Sequence, residues 1–254
     1  MESLIPPRLR DAHANSLWKF HQSCEVSRPM TSRGGVIKGL RADGSLVSLS
    51  ISVAKVQDKS QTFFVAVIRD ATASVQQQEE LRRLANNDHL TGLLNRRAFI
   101  DRVAEVDAQG GTGGTLAIFD IDHFKRINDH YGHPIGDQVL AAFARRLDER
   151  VGQEALTARW GGEEFISFHR DATEWTVTRA IKEFSAELQF APIEAGEVTI
   201  QVSISAGITY RPPQEPLAAA LERVDKLLYL AKHDGRGRLV MSDQVVMRLG
   251  KNGP

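Results

Sequence analysis

The sequence predicts an α/β fold: a central, largely antiparallel sheet flanked by helices, preceded by a smaller α+β segment and a linker helix. Three features of the chain point to it. From about residue 88 onward, strand-like apolar runs alternate with stretches whose apolar residues recur at helical spacing. Among them, Gly161-Gly162 lies between the strand-type residues Ala158, Trp160, Phe165 and Ser167, and such a glycine pair marks a tight hairpin that makes its two strands antiparallel. Well upstream, Arg41-Ala42-Asp43-Gly44 feeds the alternating Leu46, Val47, Leu49, Ile51 and Val53, a second hairpin signal.

Three regions follow in order: 1–72, 73–87 and 88–246, with a flexible tail at 247–254. In the first, the Asp43-Gly44 turn and a polar turn at Asp58-Lys59-Ser60 separate strands that end with Thr62 to Ile68. So small a sheet exposes an apolar face and open edges, so it needs another surface to lean on, a second copy above all. The second region holds Gln76-Gln77-Gln78-Glu79-Glu80-Leu81-Arg82-Arg83-Leu84, good helix formers without Gly or Pro. Its apolar stripe, Val75, Leu81 and Leu84, is sparse; either a short two-stranded coiled coil or a solvated linker helix satisfies it.

In the third region Thr115-Leu116-Ala117-Ile118-Phe119 reads as a buried central strand. Val139, Leu140, Phe143 and Leu147 share one helical face; so do Val177, Ile181, Phe184 and Leu188, and Leu217, Leu221, Val224 and Leu228 behind Pro216. Val198 to Ser203 and Ser205 to Tyr210 are strand-like, and Gly110 to Gly114 reads as a flexible surface turn. No Gly-x-x-x-x-Gly-Lys-Ser/Thr loop is present.

Two carboxylate groups stand out. Glu163 and Glu164 fall at the start of the returning strand, on opposite faces, and acidic residues at a hairpin tip either hold a hard divalent cation or decorate an ordinary surface turn. Asp120-Ile121-Asp122 follows the central strand at its carboxyl end, where open α/β sheets place ligands. Asp122 suits a water-mediated cation contact or a structural one equally. Downstream, Asn128, His133 and Asp137 accompany Gly132, Pro134 and Gly136, a polar set on turns that can read a base edge.

Phe119 to Asp129, then Gly132-His133 and Gly136-Asp137, then Arg159 to Phe165, resemble in order and spacing the signature blocks of GGDEF-type diguanylate cyclases. Asp88-His89-Leu90-Thr91-Gly92-Leu93-Leu94-Asn95-Arg96-Arg97 resembles the family's opening block, and Lys232-His233-Asp234-Gly235-Arg236 its closing one. The first region is similar to the C-terminal half of a PAS sensor domain, with Arg69-Asp70-Ala71-Thr72 like the usual exit motif. Packing and dimerisation suit that half-domain better than ligand sensing.

The resemblance implies a palm-like fold and the joining of two GTP molecules into cyclic di-GMP by a homodimer, each subunit binding one GTP. It also implies Mg²⁺ (or Mn²⁺) held by Asp120, Glu163 and the Ile121 carbonyl, with Glu164 either a further ligand or the base for the 3′-hydroxyl. By the same resemblance Asn128, His133 and Asp137 meet the guanine side of the substrate. Lys232, Arg236 and the backbone through Phe124 and Lys125 meet the phosphates, and Gly161 and Gly162 line the substrate. An upstream sensor partner fits such a chain. Two departures stand out. The family's Arg-x-x-Asp product-inhibition motif is replaced by Gly152-Gln153-Glu154-Ala155, so feedback through it is expected to be absent. Gly237 stands where an asparagine is common, which touches the geometry of the closing loop.

Composition agrees. With 32 Lys and Arg against 32 Asp and Glu the chain is neutral, which argues against a nucleic-acid partner. The single cysteine, Cys24, cannot form an intramolecular disulfide and fits a reducing compartment. No apolar run is long enough to span a bilayer and Met1 to Pro7 does not read as a signal peptide, so a soluble, cytoplasmic protein without membrane insertion is expected. His123, His130 and His133 cluster without the partner spacing of a zinc site.

Overall fold

The computed structural model describes residues 10–23, 25–29, 36–58, 61–110, 113–151 and 155–242. Met1 to Pro7, Cys24, Lys59-Ser60, Gly111-Thr112, Gly152 to Glu154 and the tail from residue 247 lie outside the described residues. The chain divides into two units, Met1–Arg82 and Arg83–Pro254.

In the first unit, α1 (Arg10–Gln22), a helix the sequence reading had not drawn, precedes β1 (Ser27–Pro29), β2 (Ile37–Leu40), β3 (Leu46–Asp58) and β4 (Gln61–Asp70). All pairings are antiparallel, with β3 meeting β1, β2 and β4 in turn. The Asp43-Gly44 turn forms as its chemistry requires: Gly44 has φ 83° and Asp43 Oδ1 accepts from the Ser45 N–H at 2.8 Å. α1 is fastened to the sheet by Lys55 Nζ, which donates to the His21 and Ser23 carbonyls, and by Phe20, which packs on Phe64. α2 (Thr72–Asn86) follows; none of its residues is buried, and Leu81 and Leu84 are exposed.

The second unit is built on one six-stranded sheet. Its elements are β5 (Leu94–Asn95), α3 (Arg96–Ala108), β6 (Gly114–Ile121), α4 (Phe124–Tyr131), α5 (His133–Val151), β7 (Ala155–Gly161), β8 (Glu164–Arg170), α6 (Glu174–Phe190), β9 (Ile193–Ala195), β10 (Val198–Ile200), β11 (Ile204–Arg211), α7 (Leu217–His233) and β12 (Leu239–Met241). The strand order is β12-β11-β6-β8-β7-β5; the middle is antiparallel and the two outermost pairings are parallel. The region read as one strand from Val198 to Ser203 is shorter, and its paired part, β10, joins β9 in a separate ribbon off the sheet.

Strand parity explains the layers. Ala117, Phe119 and Ile121 of β6 face Val139, Phe143 and Leu147 of α5 and Val177, Ile181 and Phe184 of α6 in one core. Leu116 and Ile118 face the other way, toward Phe99 and Val103 of α3 and Ala220, Val224 and Leu228 of α7. Asp120 continues that second parity and so emerges on the α3/α7 side. Gly207 of β11 lets α7 come close: a Cβ there would lie 2.4 Å from the Val224 carbonyl oxygen and 2.6 Å from the Leu228 nitrogen. One turn beyond Leu228, α7 carries Lys232.

Candidate active site

The β7–β8 hairpin tip is built by residues far from it in sequence. Gly162 takes φ 53°, a left-handed value suited to glycine, while Gly161 ends β7 and does not need one. Glu163 therefore lies in the turn itself, and only Glu164 begins β8; the sequence reading had put both in the strand. The register slips between Arg159 and Gly161, a bulge at Trp160, whose ring packs edge-on against Phe99 and beneath the Arg96 guanidinium. Arg159 braces the turn: its Nε and Nη2 donate to the Gly162 carbonyl at 2.9 and 2.8 Å, and its Nη1 reaches both Asp88 oxygens at 3.3 Å. Asp88 is fixed in turn by the Thr91 N–H and hydroxyl. Burial opposes ionisation of Asp88, but those donors and Arg159 outweigh it and hold the carboxyl below its usual range.

Asp120 and Glu164 are directly opposite one another across β6 and β8, and both point to the α7 side. Like charges so placed repel. Lys232 lies between them, with Nζ 2.6 Å from Asp120 Oδ2 and 3.3 Å from Glu164 Oε1. Burial pushes the Asp120 carboxyl up to about 6; Lys232 works against that rise, while Glu163 and Glu164 add to it. Burial also disfavours the Lys232 ammonium, yet Asp120 and Glu164 hold its pKa above the ordinary value. The two shifts have different causes: burial dominates at Asp120, and the paired carboxylates of Asp120 and Glu164 dominate at Lys232. The cluster keeps a negative excess of hard oxygen donors, and that excess fits a divalent cation such as Mg²⁺.

Asp122, left open between a structural and a water-mediated role, makes structural contacts. Its Oδ1 accepts from Ser205 Oγ at 2.7 Å, and its Oδ2 accepts from Ser203 Oγ at 2.8 Å and from the Gly237 N–H at 3.0 Å. Gly237, the departure in the closing block, has φ 57°, a conformation that asparagine also tolerates, so the replacement keeps the loop's shape. Arg236 is exposed with φ 61°; its N–H donates to the Ala231 carbonyl.

The remaining predicted residues lie on α4 and α5. His123 takes φ 58° and turns the chain off β6, so that Phe124, buried, and Lys125, exposed, open α4. Asn128 is half-buried against Gly136, where a Cβ would meet its Oδ1 at 1.9 Å: only glycine at 136 leaves the amide its place. His133 and Asp137, in the first turns of α5, are exposed. Contacts thus join Asp120, Glu164 and Lys232 directly, and the Ile121 N–H to the Glu163 carbonyl at 3.3 Å. No contact ties Arg236, His133 or Asp137 to that cluster among the described residues. Arg159, Asp88, Ser203, Ser205 and Gly207 were not singled out for roles; the sequence signals for the first pair were the quoted blocks that hold them, Arg159 to Phe165 and Asp88 to Arg97.

A centrally antiparallel sheet that brings carboxylates from two adjacent strands onto one lysine, beside an acidic hairpin turn, defines an α/β domain of the kind that handles phosphate substrates. The particular family is shown by comparison: residues 85–238 match the profile described as "Diguanylate cyclase, GGDEF domain", and the chain belongs to that family. It is 39% identical over 174 residues to the diguanylate cyclase DgcP of Pseudomonas aeruginosa, covering 67% of this chain and 26% of that protein. It is 31% identical over 205 residues to DgcM of Escherichia coli, covering 78% of this chain and 48% of that one. The chain thus spans about a quarter and about half of the lengths of these relatives. Among solved structures, the coiled coil and GGDEF domain of DgcB from Caulobacter crescentus, in complex with c-di-GMP, aligns with TM-score 0.61 and 32% identity, over 68% of this chain and 95% of that one. No helix among the described residues is long and apolar enough to cross a membrane.

Proposed function

We propose that the chain is a diguanylate cyclase acting as a homodimer, each subunit presenting one GTP. The 3′-hydroxyl oxygen of one GTP forms a bond to the α-phosphorus of the other as pyrophosphate leaves, and the reciprocal step closes cyclic di-GMP and releases the second pyrophosphate. A divalent cation, Mg²⁺ or Mn²⁺, would supply neutralisation of the phosphate charge. Asp120, Glu163 and the Ile121 carbonyl are the residues to hold it. Glu164, on the same face, serves as a further ligand or takes the 3′-hydroxyl proton. Asn128, His133 and Asp137 orient the guanine; Lys232, Arg236 and the N–H groups through Phe124 and Lys125 orient the phosphates, and the Gly161-Gly162 turn keeps side chains out of the substrate's path.

The observation that carries the reading is the convergence of Asp120 and Glu164 on Lys232 beside the Glu163 turn. Purified protein given GTP and Mg²⁺ should yield cyclic di-GMP on chromatography, and Glu164→Ala should lower the rate by about a hundredfold or more. Absence of turnover by the wild-type chain at concentrations where it is dimeric would remove the proposal. With Gly152 and Ala155 in place of the Arg-x-x-Asp pair, added cyclic di-GMP should not slow the initial rate through that site. We assign residues 1–72 to a PAS-like packing and dimerisation segment, 73–87 to a linker and 88–246 to the cyclase domain; cutting away everything before Asp88 should weaken dimerisation and activity together. GTP is a cytoplasmic substrate, and that is the compartment assigned.

A further inference from the structure

We infer that Asp122 is a positioning residue that latches the closing loop, and with it Arg236, to the end of β6, and that it is not a cation ligand. The inference rests on the reading above in which that loop meets the phosphates. Asp122 is 6% exposed, and both of its carboxylate oxygens are occupied: Oδ1 by Ser205 Oγ, and Oδ2 by Ser203 Oγ and the Gly237 N–H. The residue's own N–H donates to the Ser203 carbonyl at 2.9 Å, so the backbone is pinned as well as the side chain. Among the described residues Asp122 takes part in no salt bridge; Lys232 goes to Asp120 and Glu164 instead. A buried carboxylate satisfied by three neutral donors has little left to offer a metal.

The loop it grips runs through left-handed backbone, braced within itself by Arg238 Nε, which donates to the Arg236 carbonyl at 3.1 Å. Gly235, Arg236 and Gly237 have φ 110°, 61° and 57° in succession. A left-handed conformation is disfavoured for a residue with a Cβ, so Arg236 stays in it only while its neighbours are tied. Its own N–H is tied to the Ala231 carbonyl on α7, and the next N–H, that of Gly237, is tied to Asp122. Asp122 therefore acts on substrate through Arg236. One residue beyond the Ile121 carbonyl and two beyond Asp120, it couples the phosphate end of the site to the cation end without touching either ligand.

The test uses the whole chain and two binding probes: a non-hydrolysable GTP analogue by calorimetry, and Mn²⁺ alone by electron paramagnetic resonance. Asp122→Asn turns an acceptor into an amide donor facing donors. Gly237→Pro, at an exposed position, removes the N–H and cannot adopt a positive φ. Each should weaken analogue binding by about tenfold, the loss of one charge-assisted hydrogen bond. GMP, which lacks the terminal phosphates, should bind as before, and so should Mn²⁺. Gly237→Asn keeps the N–H and tolerates the left-handed region, and should stay within about threefold of wild type. Should Asp122→Asn not fold, the two Gly237 variants decide alone. Loss of Mn²⁺ affinity in Asp122→Asn, or analogue affinity unchanged in Gly237→Pro, overturns the inference while leaving the cyclase reading intact. A wild-type chain that fails to bind the analogue overturns both.

Discussion

The two larger sheets among the described residues use the same kind of strand and reach opposite ends. Every residue of β6 is buried, with α5 and α6 on one face and α3 and α7 on the other. In β4, by contrast, alternation yields no interior: Phe63, Val65 and Val67, on one face, are 49%, 50% and 51% exposed. Covering, not strand propensity, makes the second unit a self-sufficient core. Its chemistry follows from the same covering, because only a buried strand end can crowd Asp120 against Glu164 and shift a carboxyl to about 6. In the first unit Asp43 and Asp70 are solvated, held low by hydrogen bonds to Ser45 and Thr72.

The contrast can be broken most sharply at phenylalanine. Phe143, fully buried against Phe165 and Phe184, should cost about 3–5 kcal/mol on replacement by Ala, read as a lower melting temperature of the GGDEF unit. Next comes acid. Burial holds the His169 imidazole down at about 4, from 6.5, beside Ser167 Oγ at 2.9 Å. The native state then binds fewer protons than the unfolded chain between those values, so stability is full above pH 6.5 and falls toward pH 4, by about 2–3 kcal/mol from this group. Asp120, raised from 3.8 to about 6, slopes the other way: its protonation favours the fold as pH drops through that window. Urea unfolding at pH 7 and pH 4.5 should show a smaller acid loss in His169→Gln than in wild type; equal losses would refute the assignment.

A smaller effect is expected at Lys232. Lys232→Met leaves Asp120 and Glu164 facing each other unneutralised, and should destabilise the metal-free domain by about 1–2 kcal/mol in chelator, with Mg²⁺ restoring part of it. Smallest of all is Phe63→Ser, which should change the monomer's stability by less than about 0.5 kcal/mol while lowering self-association in analytical ultracentrifugation. An unfolded Phe63→Ser chain would mean that the open sheet is covered in the monomer after all.

What the sequence revealed follows the range of the interactions involved. The Gly161-Gly162 and Asp43-Gly44 hairpins were legible because turn chemistry is local, and the helix faces of α5, α6 and α7 because their period is. Asp120 was legible from its place at a strand end and the closing lysine only as a member of a motif; their contact needs the parity of β6, the register with β8 and the close seat that Gly207 gives α7. The placement of Glu163 in the turn was missed because the Trp160 bulge shifts the register, a feature without a compositional mark. The β9–β10 ribbon was missed because Val198 to Ser203 carries a strand's residues throughout, whereas only Val198 to Ile200 pair, and with β9 rather than the main sheet. Asp122 was undecidable, since alternation assigns a face and not a partner.

The span of these partnerships has a kinetic meaning. Arg159 reaches Asp88 across 71 residues, and Asp122 reaches Gly237 across 115. Loops of that size are not closed by local structure; they close when the sheet brings their ends together, late and cooperatively. During synthesis, a nascent chain that has emerged past the hairpin already carries Asp120, Glu163 and Glu164, yet lacks Lys232 to neutralise them and the loop that Asp122 grips. Its acidic residues stay mutually repelling until α7 arrives, so the site is complete only once the segment through Gly237 has left the ribosome.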